Sequence, residues 1–179
     1  MFGVGCWAFG VRLGPVHGKP AVVIGHGSAK THSRMKITEA LLAEHVVFHN
    51  IFDHIERVLP ELKTVAEIKA FAGLLEGLLR KHGGSEEEWI FAPLEHCLEQ
   101  MGQRDTFEKE HREIDASLSE AIKASRIADA RKLLLKAVLT SRKHFDHEER
   151  IVFRLAEKVM KVETLLDLGK VWVEQRKAH

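Results

Sequence analysis

Two stretches of this chain repeat one pattern. Arg80-Lys81-His82 is followed by Glu86-Glu87 and then Ile90-Phe91, and Arg142-Lys143-His144 is followed at the same offsets by Glu148-Glu149 and Val152-Phe153. The shared form is R-K-H-x-x-x-E-E-x-x-[IV]-F. On a helix, residues four apart lie one turn above each other on one face. His82 with Glu86, and His144 with Glu148, therefore each offer an imidazole and a carboxylate to one point in space. A fold that accepts this sequence has to be helical at both stretches and has to place both faces inward.

The rest of the chain supplies helices to do so. Ile37, Leu41, Leu42, Val46, Phe48, Ile51, Phe52, Ile55 and Leu59 recur at three and four and predict an amphipathic helix stopped by Pro60. Thr64-x-x-Glu67 is a capping box opening a second helix, which carries the first repeat to about Leu98, with Gly102 just past its end. Asp105-x-x-Glu108 predicts the start of a third, through Phe107, His111, Ile114 and Leu118. A fourth begins after Ser125 or near Asp129 and carries the second repeat to about Met160. Leu165 to Trp172 predicts a short fifth helix packed on the others. No stretch alternates convincingly as a strand. Four long helices with short connections predict an all-α fold, an antiparallel up-down four-helix bundle with a short C-terminal fifth helix.

Residues 1–34 are of different material. They hold seven of the thirteen glycines and no Asp or Glu, and they show neither helical nor strand periodicity. They are read as an irregular Gly-rich leader, disordered or a non-native extension, with the bundle occupying 35–179. His17, His26 and His32 receive no role. Net charge is +1, no Lys/Arg run stands out, and no apolar run approaches the ~20 residues of a membrane span, so neither nucleic acid nor membrane is expected as a partner. Two cysteines, Cys6 and Cys97, with no CxxC, make neither a zinc-thiolate site nor a disulfide framework; a reducing, cytoplasmic setting is expected.

Histidine carries the chemistry. Glu44-His45 sits on the first helix and Glu110-His111 on the third, so E-H and R-K-H-x-x-x-E-E alternate twice along the chain. That order predicts one helical hairpin used twice, a pseudo-two-fold bundle in which every helix brings a ligand-type residue inward. Buried imidazoles and carboxylates without compensation are costly. A cation compensates them. Imidazole nitrogen with carboxylate oxygen and no thiolate favours iron or manganese, and zinc also fits. Two carboxylates at symmetry-related places can each bridge two ions.

These residues resemble the hemerythrin-like family of HHE cation-binding domains. The resemblance rests on Glu44-His45, His82 with Glu86-Glu87 and Ile90-Phe91-Ala92-Pro93, Glu110-His111, and His144 with Glu148-Glu149 and Val152-Phe153, from about Ile37 to Met160. It implies two Fe ions in a non-haem di-iron centre, oxo- or hydroxo-bridged, held by His45, His82, Glu86, His111, His144 and Glu148. Oxygen-carrying members have a further histidine one turn before the one on the third helix, where this chain has Phe107. The gap is left open, filled by water or filled by another side chain; His49, four residues after His45, is the candidate. Gly83-Gly84 inside the first H-x-x-x-E is a second departure, costing roughly 1 kcal/mol per Gly relative to Ala in a helix interior. It would loosen the helix or allow a close approach.

The other candidates read as ordinary. His54 and His147 are expected in solvent, Glu87 and Glu149 as surface charges, and Cys97 as a small buried residue. His96 lies 14 residues beyond His82, about 21 Å along a helix axis, too far to share a site. The function expected is binding of a small diatomic or peroxidic ligand (oxygen, nitric oxide or peroxide) for sensing, storage or detoxification, with no catalytic residue assigned. An iron donor for repair of damaged metal centres, and a metal-free helical interaction module, are the alternatives.

Overall fold

A computed structural model describes residues 35–177; segment 1–34, including Cys6 and the three histidines above, lies outside the described residues. The helices are α1 (Ile37–Val58), α2 (Val65–Glu86), α3 (Ala92–Gln100), α4 (Arg104–Lys123), α5 (Ile127–Arg150), α6 (Val152–Val159) and α7 (Val162–Lys177). No strand is found among the described residues. Four rods make the bundle: α1, then α2 running through a π-helical turn at Glu87–Phe91 into α3, then α4, then α5 continuing into α6. α4 packs against α5 and α2, and α1 against α5, α2 and α7. No described helix is long and apolar enough to cross a membrane.

The element boundaries follow from local chemistry. Pro60 turns the end of α1 into a single 3-10 turn. At the start of α2 the Thr64 hydroxyl accepts the Glu67 N–H at 3.2 Å while the Glu67 carboxylate accepts the Thr64 N–H at 2.8 Å. α4 starts one residue before the predicted box; Asp105 lies inside its first turn, a favourable place for an acid at the positive end of the helix dipole. Gly102 takes φ 65° between α3 and α4, the left-handed conformation that a glycine adopts without strain. The C-terminal helix is longer than expected, sixteen residues, and sits hard against the start of α1. A Cβ on Gly169 would collide with the Met35 carbonyl, so only glycine permits that approach. Cys97 on α3 is half-buried and is not a free thiol, so the reducing setting expected from two cysteines without a CxxC gains no support.

The π turn has a cause in sequence. Pro93 has no N–H to give to the carbonyl four residues back, so the ladder shifts register there and the Ala92 N–H reaches the Glu87 carbonyl instead. The widened turn buries Trp89, Ile90 and Phe91 in succession, which a regular helix face does not do. The second repeat reaches the same end differently: α5 breaks at Ile151 (φ −111°, ψ −60°), and Val152 and Phe153 turn inward.

The core falls into two apolar halves. One gathers Phe48, Phe52, Ile55, Ile68, Leu75, Ile114, Leu118, Leu134, Val138 and Phe145. The other gathers Ile37, Leu41, Trp89, Ile90, Phe91, Leu94, Leu98, Phe107, Val152, Phe153 and Leu165. On every rod the changeover comes at the histidine–glutamate positions: between 41 and 48 on α1, 75 and 89 on α2, 107 and 114 on α4, and 145 and 152 on α5. A polar layer therefore crosses the bundle between two apolar plugs.

Candidate metal centre

The layer is built from buried groups: His45, Glu86, His144 and Glu148 are at most 1% exposed and His82 is 3% exposed, with His111 half-buried beside them. They form two clusters. His45, His82, Glu86 and Glu148 make one; Glu86, His111, His144 and Glu148 make the other; in each, one ligand atom per residue lies within 4.8 Å of every other. Glu86 and Glu148 belong to both. In the first cluster the Nε2 atoms of His45 and His82 approach to 3.0 Å, and each lies 3.1–3.3 Å from Oε1 of Glu86. In the second, His144 Nε2 stands 3.1 Å from Glu148 Oε1, and the His111 and His144 rings are 4.3 Å apart, edge to face.

The donors fit a cation. Glu86 Oε2, both carboxylate oxygens of Glu148 and His144 Nε2 are buried with no hydrogen-bond partner among the described residues; the 3.1 Å approach of His144 to Glu148 lacks the angle for one. Orphaned buried acceptors on both shared carboxylates are a cost that a bound cation removes.

A ring of outer carboxylates orients the imidazoles. Glu44 receives His82 Nδ1 at 2.9 Å, Glu149 receives His45 Nδ1 at 3.0 Å, and Glu110 receives His144 Nδ1 at 3.1 Å. A carboxylate on the outer nitrogen fixes the ring so that Nε2 points inward, and raises its basicity as a ligand. The outer acids are themselves held. Arg176 of α7 donates to Glu44 at 2.6–2.8 Å, and Lys143 lies 3.3 Å from Glu110. Glu149 thus differs from the surface charge expected, and Glu44 and Glu110 have a use that the sequence reading did not assign. One signal was available: each precedes a ligand-type histidine by one residue, about 100° around the helix, and so faces the neighbouring rod. Nothing in the sequence pointed to Arg176.

The electrostatics follow. Burial pushes His82 and His144 down, but carboxylates on both sides of each ring outweigh it and hold both at about 10. Burial and the neighbouring His144 take His111 the other way, to about 4. Glu110 is held at about 2, chiefly by its hydrogen bond to His144. Burial and the adjacent Glu86 carboxylate push Glu148 up. Glu86, facing the imidazoles of His82 and His45, is pulled down despite its burial.

The six residues His45, His82, Glu86, His111, His144 and Glu148 come together; His49 does not. It lies one turn further along α1, outside both clusters, where its Nδ1 accepts from Arg142 at 3.1 Å. Arg142, the first residue of the second repeat, is anchored there by Asp53 and Glu56, and a cation beside a ring nitrogen is no place for a second cation. The place one turn before His111 is filled by Phe107, fully buried and stacked on His147 at 4.5 Å. His147 is accordingly not a solvated ring: it is half-buried and lies 3.4 Å from Glu110. Each cluster has two histidines and the same two glutamates, so the two halves match in ligand number. They differ outside it. Glu87, the counterpart of Glu149, is taken by Arg104 in a two-pronged pair at 2.9 and 3.1 Å, and no carboxylate hydrogen bond holds His111 among the described residues. His54 is exposed, as expected, and His96, also exposed, lies outside both clusters.

The family model described as the hemerythrin HHE cation binding domain matches residues 36–156. No curated protein and no solved structure matches the chain significantly.

Proposed function

This chain belongs to the hemerythrin family of HHE cation-binding domains, and from that premise we propose that it holds a pair of non-haem iron ions and uses them to bind a small ligand, oxygen, nitric oxide or peroxide, in sensing, storage or detoxification. The observation that supports this reading is the sharing of Glu86 and Glu148 between two clusters of buried donors. Two carboxylates common to two sets of histidines suit a bridged pair better than two separate ions. His45 and His82 would serve one ion and His111 and His144 the other; manganese or zinc suits the same donors. Such a pair supplies open coordination positions and redox capacity. The chain's own residues set its surroundings: outer carboxylates aim the imidazoles, and the apolar plugs on either side limit water.

Elemental analysis after expression in iron-replete medium tests the pair. About two ions per chain are expected, falling toward none for Glu86→Ala, which removes a donor from both clusters, and toward one for His45→Ala. Reduction followed by exposure to oxygen or nitric oxide should then change the visible absorption. A protein with no metal, whose His82→Ala and His144→Ala variants are as stable as the parent, would sink the proposal.

One observation favours a second reading, release of iron to other proteins. Among the described residues His111 lacks the outer carboxylate that the other three imidazoles have, and loss of such a partner weakens metal affinity about 10–100-fold. Chelator challenge separates the two: fast loss of one ion and retention of the other favours donation.

A further inference from the structure

Gly83 and Gly84 sit within the turn between His82 and Glu86, and the second repeat has Phe145 and Asp146 at the same places. Phe145 is buried and stacks flat on His45 at 3.9 Å, covering that side of the histidine layer. The first repeat has no such cover. A Cβ built on Gly83 or on Gly84 would meet nothing within 4 Å, so neither glycine permits a close packing contact. They leave room. The room is a cleft of about 180 Å³ between α2 and α4, lined by both glycines, by Leu79, Ile114 and Phe145, and at its floor by His82, Glu86, His111 and His144. Arg80, Gly84 and Asp115 at its rim are exposed, whereas Ile114, Phe145 and the floor histidines His82 and His144 are buried. The cleft therefore runs from solvent to the candidate metal centre, and its walls between rim and floor are apolar.

We infer that the Gly83-Gly84 cleft is the route by which an exogenous ligand reaches the metal pair, and that it admits small uncharged molecules of two or three heavy atoms. The inference rests on the proposed metal pair and goes beyond it. A volume of about 180 Å³ holds a few molecules of that size and falls below the roughly 300–1,000 Å³ of pockets that take drug-sized ligands. Apolar walls exact no desolvation from an uncharged diatomic and do from an anion. Both glycines are unfavourable inside a helix, and nothing touches the places where their side chains would be, which leaves passage as the use the geometry gives them.

The test compares Gly83→Ala, Gly83→Phe and Gly84→Leu with the parent, each loaded with iron. The readouts are metal content, thermal midpoint and the rate at which the reduced protein binds nitric oxide in stopped flow. Gly83→Phe copies the second repeat and should slow nitric oxide binding at least tenfold, with metal content unchanged; Gly84→Leu should slow it less, and Gly83→Ala least. Gly83→Ala should also melt no lower than the parent, because no contact is lost. Parent-like nitric oxide rates in metal-loaded Gly83→Phe and Gly84→Leu would overturn the inference and leave the metal pair standing. A parent that takes up no metal pair overturns the reading beneath it, and this inference with it.

Discussion

His82 shows what the site asks of one side chain. One nitrogen faces Glu44 and the other faces Glu86, so with no metal bound the ring lies between two anions and holds its proton to about 10; His144, between Glu110 and Glu148, does the same. Both values lie above the ordinary imidazole value of about 6.5. The stability these protons contribute to the metal-stripped protein is fully present below about pH 6.5 and is lost as pH rises through 10. Metal requires the inner nitrogen unprotonated, so loading has to expel both protons. We predict release of about two protons per metal pair at pH 7.5, read by calorimetry in buffers of different ionisation enthalpy, and metal affinity that climbs with pH between 6.5 and 10. Proton release near zero would mean that the outer carboxylates do not hold the rings as described.

At the scale of elements, local departures from the regular helix separate the ligand layer from the apolar plug beyond it. The π turn at Glu87–Phe91 and the break at Ile151 each re-aim a rod just past its ligands, so that the residues following the inward-facing Glu86 and Glu148 fill the adjoining plug. α7 lies outside the 36–156 family match yet reaches the site through Arg176, Glu44 and His82. Its arginine lies over the Trp172 ring at 4.3 Å, which steadies the guanidinium against Glu44. Arg176→Ala should therefore lower affinity for one ion of the pair by about tenfold, with Arg176→Lys recovering part of it. Competition with a calibrated chelator measures this; unchanged affinity in Arg176→Ala would reduce α7 to a packing role.

Taken as a whole, the molecule divides its core with a layer of charge, an arrangement unfavourable without a counter-ion. Metal binding and folding stability are coupled in consequence: saturation at 100 times Kd should stabilise the protein by about 2.7 kcal/mol per independent ion, visible as a thermal midpoint that rises on loading and falls with chelator. Much of this was legible in the chain. Helical periodicity placed the four rods, because a 3.6-residue turn is a property of each segment alone, and the twin motif placed His82, Glu86, His144 and Glu148 on inward faces for the same reason. Resemblance to a family supplied the pairing with His45 and His111, which the structure brings into the same two clusters. The rest turns on how one rod is rotated against another. His49 shares a face with His45, yet Arg142 from a different rod stands against it. Glu149 and Glu87 occupy equal places in the repeat, but one meets His45 and the other Arg104, over 100 and 17 residues of separation. Spacing along a helix determined which residues look inward; only the packing of helix on helix decided what each of them meets, because a helix fixes the direction of its own side chains and has no say in what stands opposite.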